Sequence, residues 1–358
     1  MRSLVVRLDS AGDVLLAGPA VRAVAHGSRE VVLLCGPQGA PAGRLLPGVD
    51  HVLVWAAPWS GFDPPPVRPA EIRALAADLA GAGFDRALVL TSFHQSPLPT
   101  ALLLRLAGVP WIAADCEDHP GSLLDLRHRR ADGRHEAQAA LDLATASGYA
   151  LPAGDDGRLG VLPPPDQTAL TGPGPYVVVH PGAAVPARAV GAGLAAEIVT
   201  ALTAAGHRVV VTGGPDEKSL TAAVAGPYGL DLGGRTDLPA LAGVLAGARA
   251  VVVGNTGPAH LAAAVGTPVA SLFAPVVPAG RWRPFGVPHV LLGRQDAACA
   301  GTRARVCPVP GHPCLDTLTG REVAAAVDAL LDRRPGTTAP ARAPAEPTDQ
   351  PASGKEIP

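Results

Sequence analysis

The sequence predicts an α/β protein made of two successive Rossmann-like domains that face each other across a cleft. Short apolar runs alternate with amphipathic stretches of helical length, which is typical of parallel βαβ units. The alternation stops in a segment rich in Pro, Gly and Asp at residues 152–175 and then restarts. The chain has 358 residues, which is enough for two domains with a core each.

The half before this segment predicts five strands and four helices. The opening run SLVVRLD is apolar and leads into a turn that contains Gly12, and the apolar run at residues 30–35 ends at Gly36. Periodicity near 3.6 residues identifies the helices between the runs. We predict strands at residues 3–9, 30–35, 51–54, 86–91 and 108–113, and helices at 14–25, 69–82, 98–107 and 135–148.

The half after the segment repeats the pattern. We predict strands at residues 176–180, 208–212, 250–253 and 269–273, and helices at 193–205, 217–225, 238–247, 258–265 and 321–331. From about residue 334 the chain holds Pro, Thr, Ala and charged residues without an apolar stripe, which predicts disorder. The predicted units are an N-terminal domain at 1–160, a C-terminal domain at 161–335 and a disordered tail at 336–358.

Composition restricts the partners and the location. The formal net charge is −2 and no basic stretch dominates, so nucleic acid is not an expected partner. The first predicted strand begins almost at Met1, and no apolar stretch of about 20 residues runs without Pro, Gly or charge. We therefore expect neither a signal peptide nor a transmembrane helix, and a cytoplasmic location.

The end of the first predicted strand carries a candidate catalytic residue. Gly12 allows a tight turn, and Asp13 then lies at a helix start at the mouth of the cleft. Two interpretations of Asp13 stay open from position alone. The carboxylate could act on a ligand, or it could only cap the helix and complement its dipole.

Two turns of the second half are candidates for binding a ligand. The turn after residue 180 carries Gly182, Ala183 and Arg188, whose amides and guanidinium could hold phosphates; an ordinary turn with a surface Arg is the alternative. The turn after residue 212 places Glu217 at a helix start. Its carboxylate could bind a ribose diol, or it could cap that helix.

The turn after the predicted strand 250–253 is the most informative site. It contains Asn255, Thr256 and Gly257, and Pro258 suits the first position of a helix. The free N–H groups of a helix N-terminus form an anion site. His260 lies in the first turn, where the helix dipole disfavours its charged form. We favour ligand contact over a purely structural role for His260.

Two further patterns are weighed against simpler explanations. Residues 191–196 match the dinucleotide fingerprint G-x-G-x-x-A, but they follow the predicted strand by some ten residues, so we do not predict an NAD site. Three cysteines and a histidine near the C-terminus could bind Zn²⁺ but lack close C-x₂-C pairs. We favour ordinary loop residues over zinc or a disulfide at Cys299, Cys307, His312 and Cys314, and predict no metal site.

The motifs in this order resemble glycosyltransferase family 9, the ADP-heptose:lipopolysaccharide heptosyltransferases and their relatives. The resemblance covers roughly residues 3–331 and implies a GT-B fold, in which two Rossmann-like domains face across a cleft. It rests on Gly12–Leu16 with Pro19-Ala20, Arg134-His135-Glu136, His180-Pro181-Gly182-Ala183, Gly213–Glu217, Leu232–Thr236, Gly254–Leu261 and the cysteine-rich stretch up to Cys314-Leu315.

The resemblance implies an inverting, metal-independent transfer from a nucleotide-diphosphate sugar to a glycan or lipid-linked acceptor. No cofactor is implied. Asp13 would be the general base of the reaction. Glu217 would bind the ribose of the donor, and Leu238 would lie against its nucleotide base. The remaining donor contacts would come from Gly182, Ala183, Arg188, Asn255, Thr256, Gly257 and His260. Action at the inner face of the cell membrane, with peripheral association, fits such an acceptor.

The sequence departs from the family pattern at two places. Asn255 stands where the family commonly has Asp, and Arg188-Ala189-Val190 replaces a Lys-Arg-Trp run. Two other functions stay open: a GT-B nucleotide-sugar epimerase, which would need no acceptor, and a non-catalytic nucleotide-sugar-binding protein. A dinucleotide oxidoreductase is disfavoured by the placement of its fingerprint.

Overall fold

Six parallel strands from the first part of the chain form one sheet. The computed structural model describes residues 1–332, and the tail predicted at 336–358 lies outside the described residues. The strands are β1 (Arg2–Arg7), β2 (Glu30–Cys35), β3 (His51–Val54), β4 (Arg86–Val89), β5 (Ile112–Asp115) and β6 (Leu126–His128). Their order is β3-β2-β1-β4-β5-β6, the order of a Rossmann sheet, whose ligands bind where the strand order reverses.

A second sheet of six parallel strands repeats this order in the later part of the chain. Its strands are β7 (Val177–His180), β8 (Val209–Val211), β9 (Gly229–Asp231), β10 (Ala250–Gly254), β11 (Val269–Leu272) and β12 (His289–Leu292). They lie in the order β12-β11-β10-β7-β8-β9. Read from the β9 edge, with β7 taken as the first strand, this is the order of the first sheet. The sheets share no strand, which confirms the predicted α/β class with two Rossmann-like halves. The boundary at residues 160/161 stays a prediction.

Helices cover both faces of the sheets. They are α1 (Ala11–Leu16), α2 (Gly18–His26), α3 (Ala40–Gly43), α4 (Pro69–Ala82), α5 (Leu98–Leu106), α6 (Glu136–Ala146), α7 (Thr168–Thr171), α8 (Ala192–Ala204), α9 (Lys218–Ala225), α10 (Leu238–Ala246), α11 (Gly257–Ala264), α12 (Ala279–Trp282) and α13 (Gly320–Leu331). Short 3₁₀ turns lie at Gly121–Leu123, Pro186–Arg188 and Pro215–Glu217. The central strands are almost wholly apolar and buried, as parallel strands covered on both faces should be.

The helix predicted at residues 14–25 is two helices, α1 and α2, with a break at Ala17. Pro19 has no N–H to donate to the carbonyl four residues earlier, which explains why one continuous helix does not form. The sequence analysis also missed three strands, β6, β9 and β12. Each has only three or four residues, and none is fully buried, so none shows a strong apolar run.

The segment predicted as a linker is attached to both halves. Arg22 of α2 makes two hydrogen bonds, of 2.6 and 2.8 Å, to the Asp155 carboxylate. The Leu162 N–H donates to the Leu45 carbonyl at 2.7 Å, and Arg208 donates to the Gly174 carbonyl at 2.8 Å. The segment therefore crosses between the two sheets along a defined path, although it contains little regular structure.

One stretch of the described chain, Pro186–Ala204, has the length and hydropathy of a membrane-spanning helix. In the structure this stretch is a 3₁₀ turn at Pro186–Arg188 followed by the separate 13-residue helix α8. Thirteen residues of α-helix span about 20 Å, which is short of the roughly 30 Å of a bilayer core. One face of α8 is instead buried in the core of the second half.

Candidate functional site

The start of α1 and the start of α11 meet between the two sheets. A Cβ atom at Gly12 would lie 3.1 Å from His260 Cδ2 and 3.3 Å from the Gly257 Cα atom. Gly12 therefore allows a closer approach of the two helices than a larger residue would. Because each helix follows the carboxyl end of a central strand, this contact brings together the two edges where ligands bind in parallel sheets.

Asp13 lies at this junction and is partly exposed. Its side chain is 21% exposed and accepts hydrogen bonds from Arg7 at 3.2 Å and from the Ser10 hydroxyl at 2.8 Å. Ser10, and not Asp13, is the N-cap residue of α1. Burial alone would raise the pKa of Asp13, but Arg7, Ser10, His260 and the Trp282 indole together hold it below its usual value.

Arg7 anchors this carboxylate and was missed by the sequence analysis. Its buried guanidinium pairs with Asp9 at 3.0 Å and Asp13 at 3.2 Å, and donates to the Ser92 hydroxyl at 2.8 Å. A charged residue at the end of the apolar run VVRLD was the available signal, since an Arg is almost never fully buried unless it is paired. Arg7 thus fixes Asp13 in its ionised form.

Arg188, which is half-buried, and His260, which is buried, lie opposite Asp13, and each has a buried nitrogen without a hydrogen-bond partner in the described part of the chain. Within residues 1–332, neither Arg188 Nε nor His260 Nδ1 has a partner. Burial lowers the pKa of His260 to about 4, against the attraction of Asp13 and together with the repulsion of Arg188, so His260 is neutral near pH 7. Buried polar atoms are nearly always paired, so these two nitrogens are available to a polar ligand in the cleft.

The turn after β7 and the turn after β8 fit closely against each other. A Cβ atom at Gly182 would overlap the Glu217 carboxylate, and the same carboxylate accepts a hydrogen bond of 2.7 Å from the Gly214 N–H. Glu217 therefore holds the two predicted donor turns together. Ala183 lies beside Gly182, half-buried, at the same strand end.

The structure gives Asn255 a backbone role. Its amide donates to the Ala274 carbonyl and accepts from the Ala274 N–H, both at 3.1 Å, which joins the ends of β10 and β11. An ionised Asp could accept from that N–H but could not donate to the carbonyl, which gives a physical reason for Asn here. Thr256 is the N-cap residue of α11, with no side-chain capping bond, and Gly257 begins the helix.

Leu238 begins α10 and lines a cavity of about 530 Å³ between the two halves. The other lining residues are Ala11, Gln38, Pro41, Arg44, Leu45, Asp237 and Pro239. The cavity is mostly apolar with a few polar side chains, and its size falls within the usual range for small-molecule sites. It adjoins the α1–α11 junction through Ala11.

A second cavity, of about 210 Å³, lies at the carboxyl ends of β4 and β5. Phe93 is in its lining, and its ring centroid lies 5.8 Å from that of Trp282, while the Arg281 guanidinium lies 4.4 Å from the Phe93 ring centroid. Burial, together with the charge of Arg303 and other cations, lowers the pKa of the lining residue His94 to about 4. The sequence analysis did not identify the residues that line this cavity.

The motif at residues 134–136 joins the two halves. His135 is hydrogen-bonded to the Arg283 carbonyl at 2.9 Å, and its ring stacks on Phe285 with centroids 4.6 Å apart. The buried carboxylate of Glu136 accepts from Arg130 at 3.1 Å, and Arg281 lies 4.0 Å away. The motif residues His135 and Glu136 therefore contact the segment at residues 281–285 of the second half.

The cysteine-rich loop contains no arrangement of ligands suited to a metal in the part of the chain that is described. Its cysteines are free thiols, and burial together with the neighbouring Cys299 and Cys307 thiols raises the pKa of Cys314 to about 11. His312 Nε2 is engaged with the Ala187 carbonyl at 3.2 Å. Cys299 and Cys314 are buried and pack in the core of the second half.

Comparisons with known proteins agree with this architecture. Residues 72–312 match the model of glycosyltransferase family 9 (heptosyltransferase). Lipopolysaccharide heptosyltransferase 3 of Escherichia coli is 30% identical over 162 residues, which are 44% of this chain and 47% of that protein. Lipopolysaccharide heptosyltransferase 1 of Pseudomonas aeruginosa is 45% identical over 73 residues, 20% of each chain. The chain thus matches less than half the length of these curated relatives.

Solved structures match over nearly the whole length. The E. coli ADP-heptose lipopolysaccharide heptosyltransferase II superposes with a TM-score of 0.72 at 20% identity, covering 92% of this chain and 98% of that one. A family 9 glycosyl transferase from Veillonella parvula gives a TM-score of 0.75 at 16% identity, with 92% and 97% covered. These similarities confirm the predicted GT-B fold. Since the family model covers residues 72–312 of the 358, the chain belongs to glycosyltransferase family 9.

Proposed function

We propose that this protein is an inverting glycosyltransferase that moves a sugar, with a heptose as one candidate, from a nucleotide-diphosphate donor to an acceptor hydroxyl. A glycan or a lipid-linked molecule of the cell envelope is the proposed acceptor. The observation that carries the proposal is that an ionised carboxylate, Asp13, lies opposite two nitrogens without hydrogen-bond partners among the described residues, Nε of the Arg188 guanidinium and Nδ1 of the neutral His260 ring. A base and an anion site on facing walls are what transfer from a diphosphate requires.

The proposed reaction balances on these residues. Asp13 accepts the proton of the acceptor hydroxyl. The oxygen of that hydroxyl bonds to the anomeric carbon of the donor sugar through an oxocarbenium-like state. The bond from that carbon to the diphosphate breaks, and its electron pair leaves with the diphosphate. Arg188 and the free N–H groups at the start of α11 stabilise the charge that develops there. We propose that these groups, without a metal ion, carry leaving-group stabilisation.

Donor binding is proposed to tune both titrating groups. A diphosphate beside Arg188 and His260 adds negative charge near each, and a nearby negative charge raises the pKa of an acid or a base. Asp13 then becomes a stronger base, and His260 gains a proton and a second N–H to donate. Leu238 and the cavity that it lines would hold the nucleotide base of the donor, and Glu217 beside Gly182 would face the ribose.

Replacing His260 with Ala is expected to weaken nucleoside-diphosphate binding by about 10- to 100-fold, the size of one lost hydrogen bond to a charged group. Calorimetric titration measures it. His260→Asn places an amide nitrogen near the position of Nδ1 and is expected to recover part of the affinity, which loss of packing alone would not predict. Unchanged affinity in the Ala variant, with an intact fold, would remove His260 from the donor site.

The donor is identified by thermal unfolding in the presence of ADP-, GDP-, UDP- and dTDP-sugars. A ligand that binds only the folded state raises the free energy of unfolding by mass action, by about 2.7 kcal/mol at a ligand concentration of 100 times Kd. The unfolding midpoint rises as a result. Product analysis with the stabilising donor then separates the functions. Epimerised donor without acceptor indicates an epimerase, and binding without turnover in the presence of envelope extracts indicates a binding protein.

The proposed location is the cytoplasm, with peripheral contact at the inner face of the membrane where lipid-linked acceptors lie. Support comes from the nature of the named relatives, which act on lipopolysaccharide. Flotation of the purified protein with vesicles that contain or lack a lipid-linked glycan tests the contact. Equal recovery in the floating fraction without the glycan would argue for lipid binding independent of the acceptor.

A further inference from the structure

Arg303 has a left-handed backbone conformation that residues other than glycine rarely adopt. Its φ angle is 58°, and among residues 1–332 only one other non-glycine residue has a positive φ. Such residues persist where the surrounding structure holds them, and they concentrate at functional sites. Here the Arg303 N–H donates to the Val276 carbonyl at 2.7 Å and the Gly301 N–H to the Pro275 carbonyl at 2.8 Å. These bonds hold the loop after β12, which carries Arg303, against the segment that follows β11.

The other such residue, His312, has an evident structural role. Its φ angle is 44°, its ring is hydrogen-bonded to the Ala187 carbonyl at 3.2 Å, and its own carbonyl accepts from Leu315 and Asp316 at 3.1 Å each. The side chain of Arg303, in contrast, is exposed and makes no hydrogen bond or ion pair within the described chain. The fold therefore accounts for histidine at 312 but gives no reason for arginine at 303.

The loop that carries Arg303 is bound to the turn that carries Arg188. The Ala187 N–H donates to the Arg305 carbonyl at 2.9 Å, so residues two positions from Arg303 and one position from Arg188 are joined directly. The charge of Arg303 lowers the pKa of Arg188, after the larger effect of burial, and it lowers the pKa of His94 on the opposite wall. The loop of Arg303 is thus held against the turn of Arg188, and the charge of Arg303 acts on a group from each half of the chain.

The charge balance at this point favours an anion. Arg188 has a buried Nε atom without a partner in the described residues, and Asp13 is the one opposite charge that acts on both Arg188 and His94. Guanidinium groups bind phosphate oxygens in pairs of parallel hydrogen bonds. We propose that Arg303 and Arg188 bind the donor diphosphate together, with Arg303 closing over it from the cysteine-rich loop. This rests on the proposed function.

The test uses two substitutions at Arg303 and one matched control. Arg303→Gly removes the guanidinium and relaxes the strained backbone, so the unfolding midpoint should stay the same or rise. Arg303→Gln removes the charge alone. Both are expected to weaken calorimetric binding of inorganic pyrophosphate and of the nucleoside diphosphate by about 10- to 100-fold. Arg305→Gln removes a charge from the same loop, where Arg305 pairs with Asp63 at 3.2 Å, and should leave pyrophosphate affinity nearly unchanged.

Four outcomes separate this inference from the proposed function. Weaker pyrophosphate binding in both Arg303 variants, with Arg305→Gln unaffected, supports the inference. Wild-type affinity in Arg303→Gly overturns it and leaves the donor site intact, as does a loss confined to acceptor turnover, which would assign Arg303 to an acceptor anion. If the wild-type protein binds no nucleoside diphosphate or pyrophosphate, the proposed function itself fails.

Discussion

Replacing Asp13 with Asn is expected to lower sugar transfer by about 10²- to 10⁴-fold, the usual contribution of a general base. Asparagine has nearly the same size, and its amide oxygen can still accept from Ser10, which donates to Asp13 at 2.8 Å. It cannot take the acceptor proton. Donor affinity should be retained or rise slightly, because the proposed diphosphate no longer faces a negative carboxylate. The unfolding midpoint should fall only modestly, because Arg7 keeps its pair with Asp9 at 3.0 Å.

The alternative, that Asp13 only supports its helix, predicts the opposite pattern. Ser10 already occupies the N-cap of α1, so Asp13→Ala should lose at most about 1 kcal/mol of helix stabilisation. Under that alternative both variants would retain turnover. Asp142→Asn, which alters a half-exposed carboxylate paired with Arg134, is the control for charge removal. Full transfer activity in Asp13→Asn would end the catalytic assignment.

Replacing Arg7 with Met is expected to have the largest effect on stability, about 3–5 kcal/mol. Removing one partner of a buried ion pair leaves the other charge uncompensated, and Arg7 pairs with two carboxylates, Asp9 at 3.0 Å and Asp13 at 3.2 Å. The free energy of unfolding from denaturant titration measures the loss. Arg22→Met is the matched control, since Arg22 pairs with Asp155 away from the cleft and should leave turnover intact.

The same substitution should also move the pH dependence of transfer. In the wild-type protein the pKa of Asp13 is lowered, so its ionised form contributes stability that is present above the unfolded pKa and is lost as the pH falls through the folded pKa. Without Arg7, burial and the charge of Asp9 dominate, and the pKa of Asp13 rises. The acid limb of kcat/KM should therefore shift to higher pH in Arg7→Met and stay in place in Arg22→Met.

Local patterns were enough to predict most of the architecture. Alternating apolar and amphipathic segments identified the central strands, such as β1, β2 and β10, because strands buried on both faces must be apolar along their length. Short edge strands such as β6 and β9 were missed because three half-buried residues leave no clear pattern. The break at Ala17 was missed because a Pro at the first turn of one helix is compatible with an uninterrupted apolar pattern.

The candidate site divides in the same way. Local patterns were enough to select Asp13, Glu217 and His260, because each follows a strand and a glycine-containing turn, and turns at the carboxyl ends of parallel strands bind ligands. How these residues act on one another depends on contacts between distant parts of the chain. Arg7, six residues from Asp13, fixes its ionised state; Asn255 bonds the backbone of Ala274; and Arg303 approaches Arg188 from more than 100 residues away. Charge, burial and hydrogen-bond partners depend on distances in space, which a local pattern of residues does not contain.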